Sequence, residues 1–163
     1  MHEKRRQVRP EVRVPRSGVE GFSPAALRRR RAQRKLSLSD LADLSGVSET
    51  TIDSWELGRA LPTPSTLATV AKALGTRIAD LAPVPESELK MADLRHHLGH
   101  SQDNTANAAG LSRSRLAAVE TGRRQPRDSE LNTLATLYDV TPEQLATVWQ
   151  RTRDRRLARL RSK

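Results

Sequence analysis

The chain has 163 residues, no cysteine and a net charge of +10 at pH 7. Lacking cysteine, it has neither disulfides nor thiolate metal sites, which suits the cytosol. No apolar run approaches the ~20 residues of a membrane span, and the basic N-terminus continues into Arg and Pro instead of an apolar stretch, so no secretory signal is expected. The charge excess favours a polyanionic partner. Its only aromatics are Phe22, Trp55, Tyr138 and Trp149, too few to stack a single strand, so duplex DNA is the expected polyanion.

Residues 1–22 read as a basic flexible arm, with Arg5, Arg6, Arg9, Arg13 and Arg16 set among valines, Pro10, Pro15 and Gly18. Prolines at this density argue against helix. Two readings stand: a solubilising tail, or an arm that tracks phosphates or enters a minor groove. Ser23-Pro24 opens the first helix as cap and first-turn proline. Ser37 with Asp40 imitates a capping box, and Leu41 and Leu44 are expected on the inward face of the short helix that follows. Gly46 makes a turn where a positive φ is cheap, Val47 packs inward, and Ser48 caps a helix with Ile52 and Trp55 buried. Thr63-Pro64 begins a fourth helix that ends at Gly75, and a short fifth holds Ile78 and Leu81. Ala82-Pro83-Val84-Pro85 is a stiff, short linker.

The pattern then recurs. A shift of 64 residues lays Ser37, Ala42, Gly46, Ser48, Glu56, Gly58, Arg59 and Pro62 on Ser101, Ala106, Gly110, Ser112, Glu120, Gly122, Arg123 and Pro126, without a gap. Such a register marks two copies of one unit. The fold class expected is all-α: two tandem five-helix domains over 23–83 and 84–148, with basic terminal extensions. The last helix starts with the capping box Thr141-Pro142-Glu143-Gln144 and runs on through Leu157 and Leu160. Its extension, 149–163, reads as a solvated basic helix, a phosphate-binding tail, or a helix for a homodimer or protein partner. Net charge over the four segments is +3, +3, −2 and +6, so much of the excess lies at the ends.

Helix, tight turn and helix make the helix-turn-helix plan, whose second helix enters the major groove. Both copies resemble the lambda-repressor-like (Xre/Cro-type) helix-turn-helix family. In the first copy the resemblance rests on Leu-Ala-x-Leu-x-Gly-Val-Ser at 41–48, Ile-Asp-Ser-Trp-Glu-Leu-Gly at 52–58 and the run from Leu67 to Gly75. In the second it rests on Ser-Gln at 101–102, Gly-Leu-Ser at 110–112 and Val-Glu-Thr-Gly-Arg at 119–123. The second copy departs at Thr105 and Ala108, which replace Leu41 and Leu44 and should weaken that helix.

The resemblance implies base-reading positions at Glu49, Thr50 and Ser54 in the first copy and Arg113, Ser114 and Ala118 in the second, with Thr51 and Arg115 beside them. An Arg113 or Arg115 bidentate to guanine is the most specific chemistry available. Phosphate contacts are expected from the helix starts at Ser37 and Ser101, from Gln102, and from Arg59, Arg123, Arg124 and Arg127. It also implies structural ion pairs, Arg31 with Glu56 and Arg95 with Glu120. The second domain should bind DNA more strongly, because the first offers Glu49 and Asp53 on its reading helix. His96, His97 and His100 lack a convincing metal-ligand set, and His100 reads as a half-buried structural histidine. No phosphate loop, nucleophile motif or acid–base pair points to an enzyme, and no cofactor or metal is expected. The function expected is a sequence-specific transcriptional regulator, by default a repressor, in the cytoplasm at the nucleoid. The rivals are an antitoxin-like or accessory protein-interaction module with one degenerate unit, and a sequence-blind nucleoid-type binder.

Overall fold

The computed structural model describes residues 18–163; the part of the expected arm that covers 1–17 lies outside the described residues. The first unit comprises α1 (Pro24–Gln33), α2 (Leu38–Ser45), α3 (Glu49–Glu56), α4 (Pro64–Leu74) and α5 (Ile78–Leu81). A 3-10 turn at Glu86–Glu88 leads into the second unit: α6 (Met91–His97), α7 (Gln102–Ala109), α8 (Arg113–Glu120), α9 (Asp128–Leu137) and α10 (Pro142–Arg161). The described residues contain no strand.

Seven of the ten described α-helices begin at a capping serine or threonine. The side chains of Ser23, Ser37, Ser48, Thr63, Ser101, Ser112 and Thr141 each accept a hydrogen bond from a first-turn amide, satisfying donors that have no partner within the helix. Each unit then buries its own apolar set. Leu27, Leu41, Ile52, Trp55, Leu67, Val70 and Leu81 form the first core. Met91, Leu116, Val119, Leu134, Tyr138, Leu145 and Trp149 form the second.

The backbone repeats as faithfully as the sequence. Left-handed residues recur 64 positions apart: Lys35 and Gly99 (φ 53° and 73°), Gly46 and Gly110 (70° and 66°), Gly58 and Gly122 (67° and 69°), Gly75 and Asp139 (63° and 55°). In two of these pairs one copy lacks glycine. The fold, and not the residue, therefore imposes the conformation, and Lys35 and Asp139 bear a strain that glycine avoids.

Three expectations change. Val19 and Phe22, assigned to the arm, pack in the first core: the Val19 amide donates to the Pro62 carbonyl at 2.9 Å, and Phe22 meets Trp55 edge-on with centroids 6.4 Å apart. Leu44 is 58% exposed, because the side of α2 that meets the core carries Leu41 and Ser45, with Leu38 and Ala42 beside them; the change to Ala108 therefore sacrifices no core packing. Thr105 is buried as its position demands, but its hydroxyl has no partner. The boundary at 148/149 falls inside α10, and Trp149 belongs to the core. Beyond it the helix stays docked. Arg151 donates to the Glu86 carbonyl and Arg155 to the Ser87 and Glu88 carbonyls. Arg153 lies over the Trp149 ring at 5.6 Å.

The units also touch each other. Helix α5 packs on α6, and the His97 Nε2 lies 3.0 Å from the Ala82 carbonyl oxygen. Gly99 sits so close to α4 that a Cβ there would lie 2.7 Å from the Ala68 Cβ.

Candidate nucleic-acid interface

Each unit sets its third helix by the same buried ion pair. Arg31 Nε and Nη2 donate to the two Glu56 carboxylate oxygens at 2.7 and 2.8 Å, and Nη1 donates to the Leu36 carbonyl. In the second unit Arg95 reaches Glu120 at 2.7 and 3.2 Å and donates to the His100 carbonyl. The bidentate fork fixes α3 against α1 and α8 against α6. Glu120 also accepts from the Tyr138 hydroxyl and the Gln102 amide, each at 3.0 Å. Burial first, and the neighbouring Glu120 carboxylate next, keep the Tyr138 phenol protonated far above its ordinary range.

On this scaffold Arg113 is the first residue of α8 and its side chain is 64% exposed. Its Nε lies 3.4 Å from both the Gln102 Oε1 and the Asp103 Oδ1, contacts long enough to be exchanged for stronger ones. Ser114 is exposed beside it and Ala118 is half-buried. Arg123, Arg124 and Arg127 are exposed in and after the turn that follows α8.

Arg115 is placed differently from the expectation. Its Nη2 and Nε donate to the Glu130 carboxylate at 2.6 and 3.0 Å, and Nη2 also reaches the Gln125 carbonyl. The guanidinium ties α8 to the start of α9 and is not free for a base edge. Its hydrogen bond is the main reason the Glu130 carboxyl titrates below the ordinary carboxylate range. Gln102 is likewise engaged, its amide on Glu120.

The helix starts differ in a way that the motifs did not announce. At α2, Asp40 accepts from the Ser37 amide at 2.7 Å, so a carboxylate already sits where an anion would bind. Its bonds from Ser37 hold its pKa below the usual value. Asn104 occupies the matching place in α7 and is neutral; the Ser101 side chain accepts from its amide. The signal was present in the repeat alignment, as an acid in one copy facing an amide in the other.

On α3, Glu49 and Thr50 are exposed, Thr51 and Ser54 are half-buried, and Arg59 is exposed after the helix. The Thr51 hydroxyl is held 2.7 Å from that of Ser48. Among the described residues no three His, Cys, Asp or Glu side chains stand close enough to share a metal ion. His96 is buried and His100 half-buried. Burial first, and Arg95 next, lower the His96 pKa from its usual value. No described helix is long and apolar enough to cross a membrane.

Two family models match the chain. One, described as helix-turn-helix, covers residues 27–81; the other, described as a helix-turn-helix domain, covers 90–148. No curated protein and no solved structure matches the chain. The two matched spans coincide with the two helical units and support DNA binding. The chain belongs to the helix-turn-helix family, carrying two domains of that family in tandem.

Proposed function

We propose that the protein is a sequence-specific duplex DNA-binding regulator of transcription, repressing by occlusion at the nucleoid, with the second domain as its principal reader. The observation that carries this reading is the pairing of an exposed Arg113 at the first turn of α8 with an α7 start that no carboxylate caps. Arg113 would read a guanine through O6 and N7. Ser114 and Ala118 would line the base edges. Ser101, Arg123, Arg124 and Arg127 would hold phosphates on either side. Arg115 is assigned to scaffold, with Arg31, Glu56, Arg95 and Glu120.

The first domain is the weaker reader. Asp40 and Glu49 place carboxylates in the first turns of α2 and α3, and Asp53 adds a third further along α3, where phosphates would repel them. Leu44 and Leu57 are exposed on the same domain, apolar surface that a protein contact would cover. Thr50, Thr51, Ser54, Ser37 and Arg59 are therefore its auxiliary contacts.

Duplex binding measured across several salt concentrations tests the reading. The logarithm of affinity should fall with the logarithm of salt by about 0.9 per phosphate neutralised. Arg113→Ala should remove about 1–3 kcal/mol of discrimination at one base pair. A shallow salt slope, or a base preference unaltered in Arg113→Ala, would overturn it.

A further inference from the structure

Between the two domains lies a cleft of about 950 Å³, within the size range of small-molecule sites. The starts of α4 (Thr63 to Ser65) and α7 (Ser101 to Asp103) face it, and Arg155, Arg156 and Arg159 of α10 line it. The first-turn amides of Ser65, Gln102 and Asp103 have no acceptor within their helices, as in any helix start.

The charge in the cleft is unbalanced. Each of its four carboxylates already has a donor. Glu120 takes the Arg95 fork, Asp93 the Lys90 amide, Asp103 the Arg113 Nε, and Glu20 the Lys90 ammonium. Among the described residues the three α10 arginines pair with no carboxylate; Arg155 meets only carbonyls. His96 also lines the cleft, only 8% exposed; its unpartnered Nδ1 is closed off from solvent and does not face the cleft.

We propose that this cleft binds a small phosphate-bearing effector, with Arg156 and Arg159 matching its charge and the starts of α4 and α7 donating amides. A ligand held there touches both domains and fixes their relative setting. Ser101 and Arg113 belong to the cleft as well as to the proposed DNA surface. Resting on that assignment, effector and duplex exclude one another.

The test uses the full chain without DNA, titrated with inorganic pyrophosphate at fixed ionic strength. Saturable shifts are expected at the Ser65, Gln102 and Asp103 amides and at the His96 ring. Arg156→Ala with Arg159→Ala should weaken binding at least tenfold. Arg161→Ala with Lys163→Ala removes the same charge beyond the cleft and should change little. No saturation, or equal losses in both double variants, overturns the site. Arg159 is exposed and Arg156 half-buried on α10, so folding is checked by an unchanged melting curve. Duplex binding is measured separately. If the Arg156→Ala, Arg159→Ala protein fails to bind duplex and the native protein ignores pyrophosphate, the cleft serves DNA phosphates and the effector proposal falls. If pyrophosphate binds at the cleft but leaves duplex binding untouched, the site stands and the shared DNA wall is wrong.

Discussion

The Arg95→Met substitution should unfold the second domain selectively. Arg95 and Glu120 side chains are 7% and 4% exposed, and two of the four hydrogen bonds to the carboxylate come from Arg95. Methionine fills the space but strands the charge. Two neutral donors, Tyr138 and Gln102, remain. Removing one partner of a buried pair costs about 3–5 kcal/mol. At roughly 4–8 °C per kcal/mol for a domain of this size, melting should fall by more than about 12 °C. Each core holds one tryptophan, Trp55 in the first and Trp149 in the second, so urea unfolding in a Trp55→Phe background follows the second domain alone. Adding Glu120→Leu should recover much of the loss by removing the stranded charge. The recovery stays incomplete, because the Tyr138 hydroxyl and the His100 carbonyl lose partners worth about 1 kcal/mol each. A loss below about 1 kcal/mol for Arg95→Met is what a solvated surface pair would give, and would refute the reasoning.

Arg115→Ala should lower stability by about 1–3 kcal/mol and leave base preference intact; base-substituted duplexes and urea titration separate the two. Glu130 is held below its ordinary pKa by Arg115, so its contribution is present above the unfolded carboxylate range and lost as pH falls through the folded value. Arg115→Ala should therefore flatten the acid limb of the stability curve. Gly46→Ala meets no atom within 4 Å and should cost only the left-handed penalty of about 1–2 kcal/mol. Gly99→Ala adds a clash with Ala68 and a 3.4 Å approach to the Pro64 carbonyl, so it should cost about 1–3 kcal/mol more and loosen the domain contact, read by urea unfolding and small-angle scattering. His96 is lowered by burial and by Arg95, against Asp93, Glu120 and Glu20, which act the other way. The unfolded chain takes up this proton before the folded one, so stability is full above about pH 6.5 and declines below it, by at most about 1.4 kcal/mol per pH unit. The decline should vanish in His96→Gln.

The repeat and the caps made the architecture legible, because seven of the ten described α-helices start at a capping serine or threonine, among them Ser23-Pro24, Ser37 with Asp40, Thr63-Pro64 and Thr141 with Gln144. The arginine–glutamate pairs were legible for another reason: the resemblance implied them, and both copies kept both partners. Contacts between distant segments were harder. Arg115 read as a base contact because its partner lies beyond a loop, at Glu130. Yet the copies differ at both positions together, Thr51 and Thr66 in one, Arg115 and Glu130 in the other, and that joint change signals a pair. Leu44 read as core because a short helix offers two turns of apolar pattern, and the pattern alone does not say how wide the buried stripe is. The docking of α10 was hidden altogether. Arg151 and Arg155 bond to backbone carbonyls at 86–88, and a carbonyl leaves no trace in side-chain identity.

Selecting bound sites from a random duplex pool, with the native protein and with Arg113→Ala in parallel, tests the assignment of the second domain most directly. The native protein should enrich one preferred sequence containing a guanine whose preference disappears in Arg113→Ala, while the remaining positions persist. Identical enriched sites for both proteins, or no enrichment by the native protein, would contradict it.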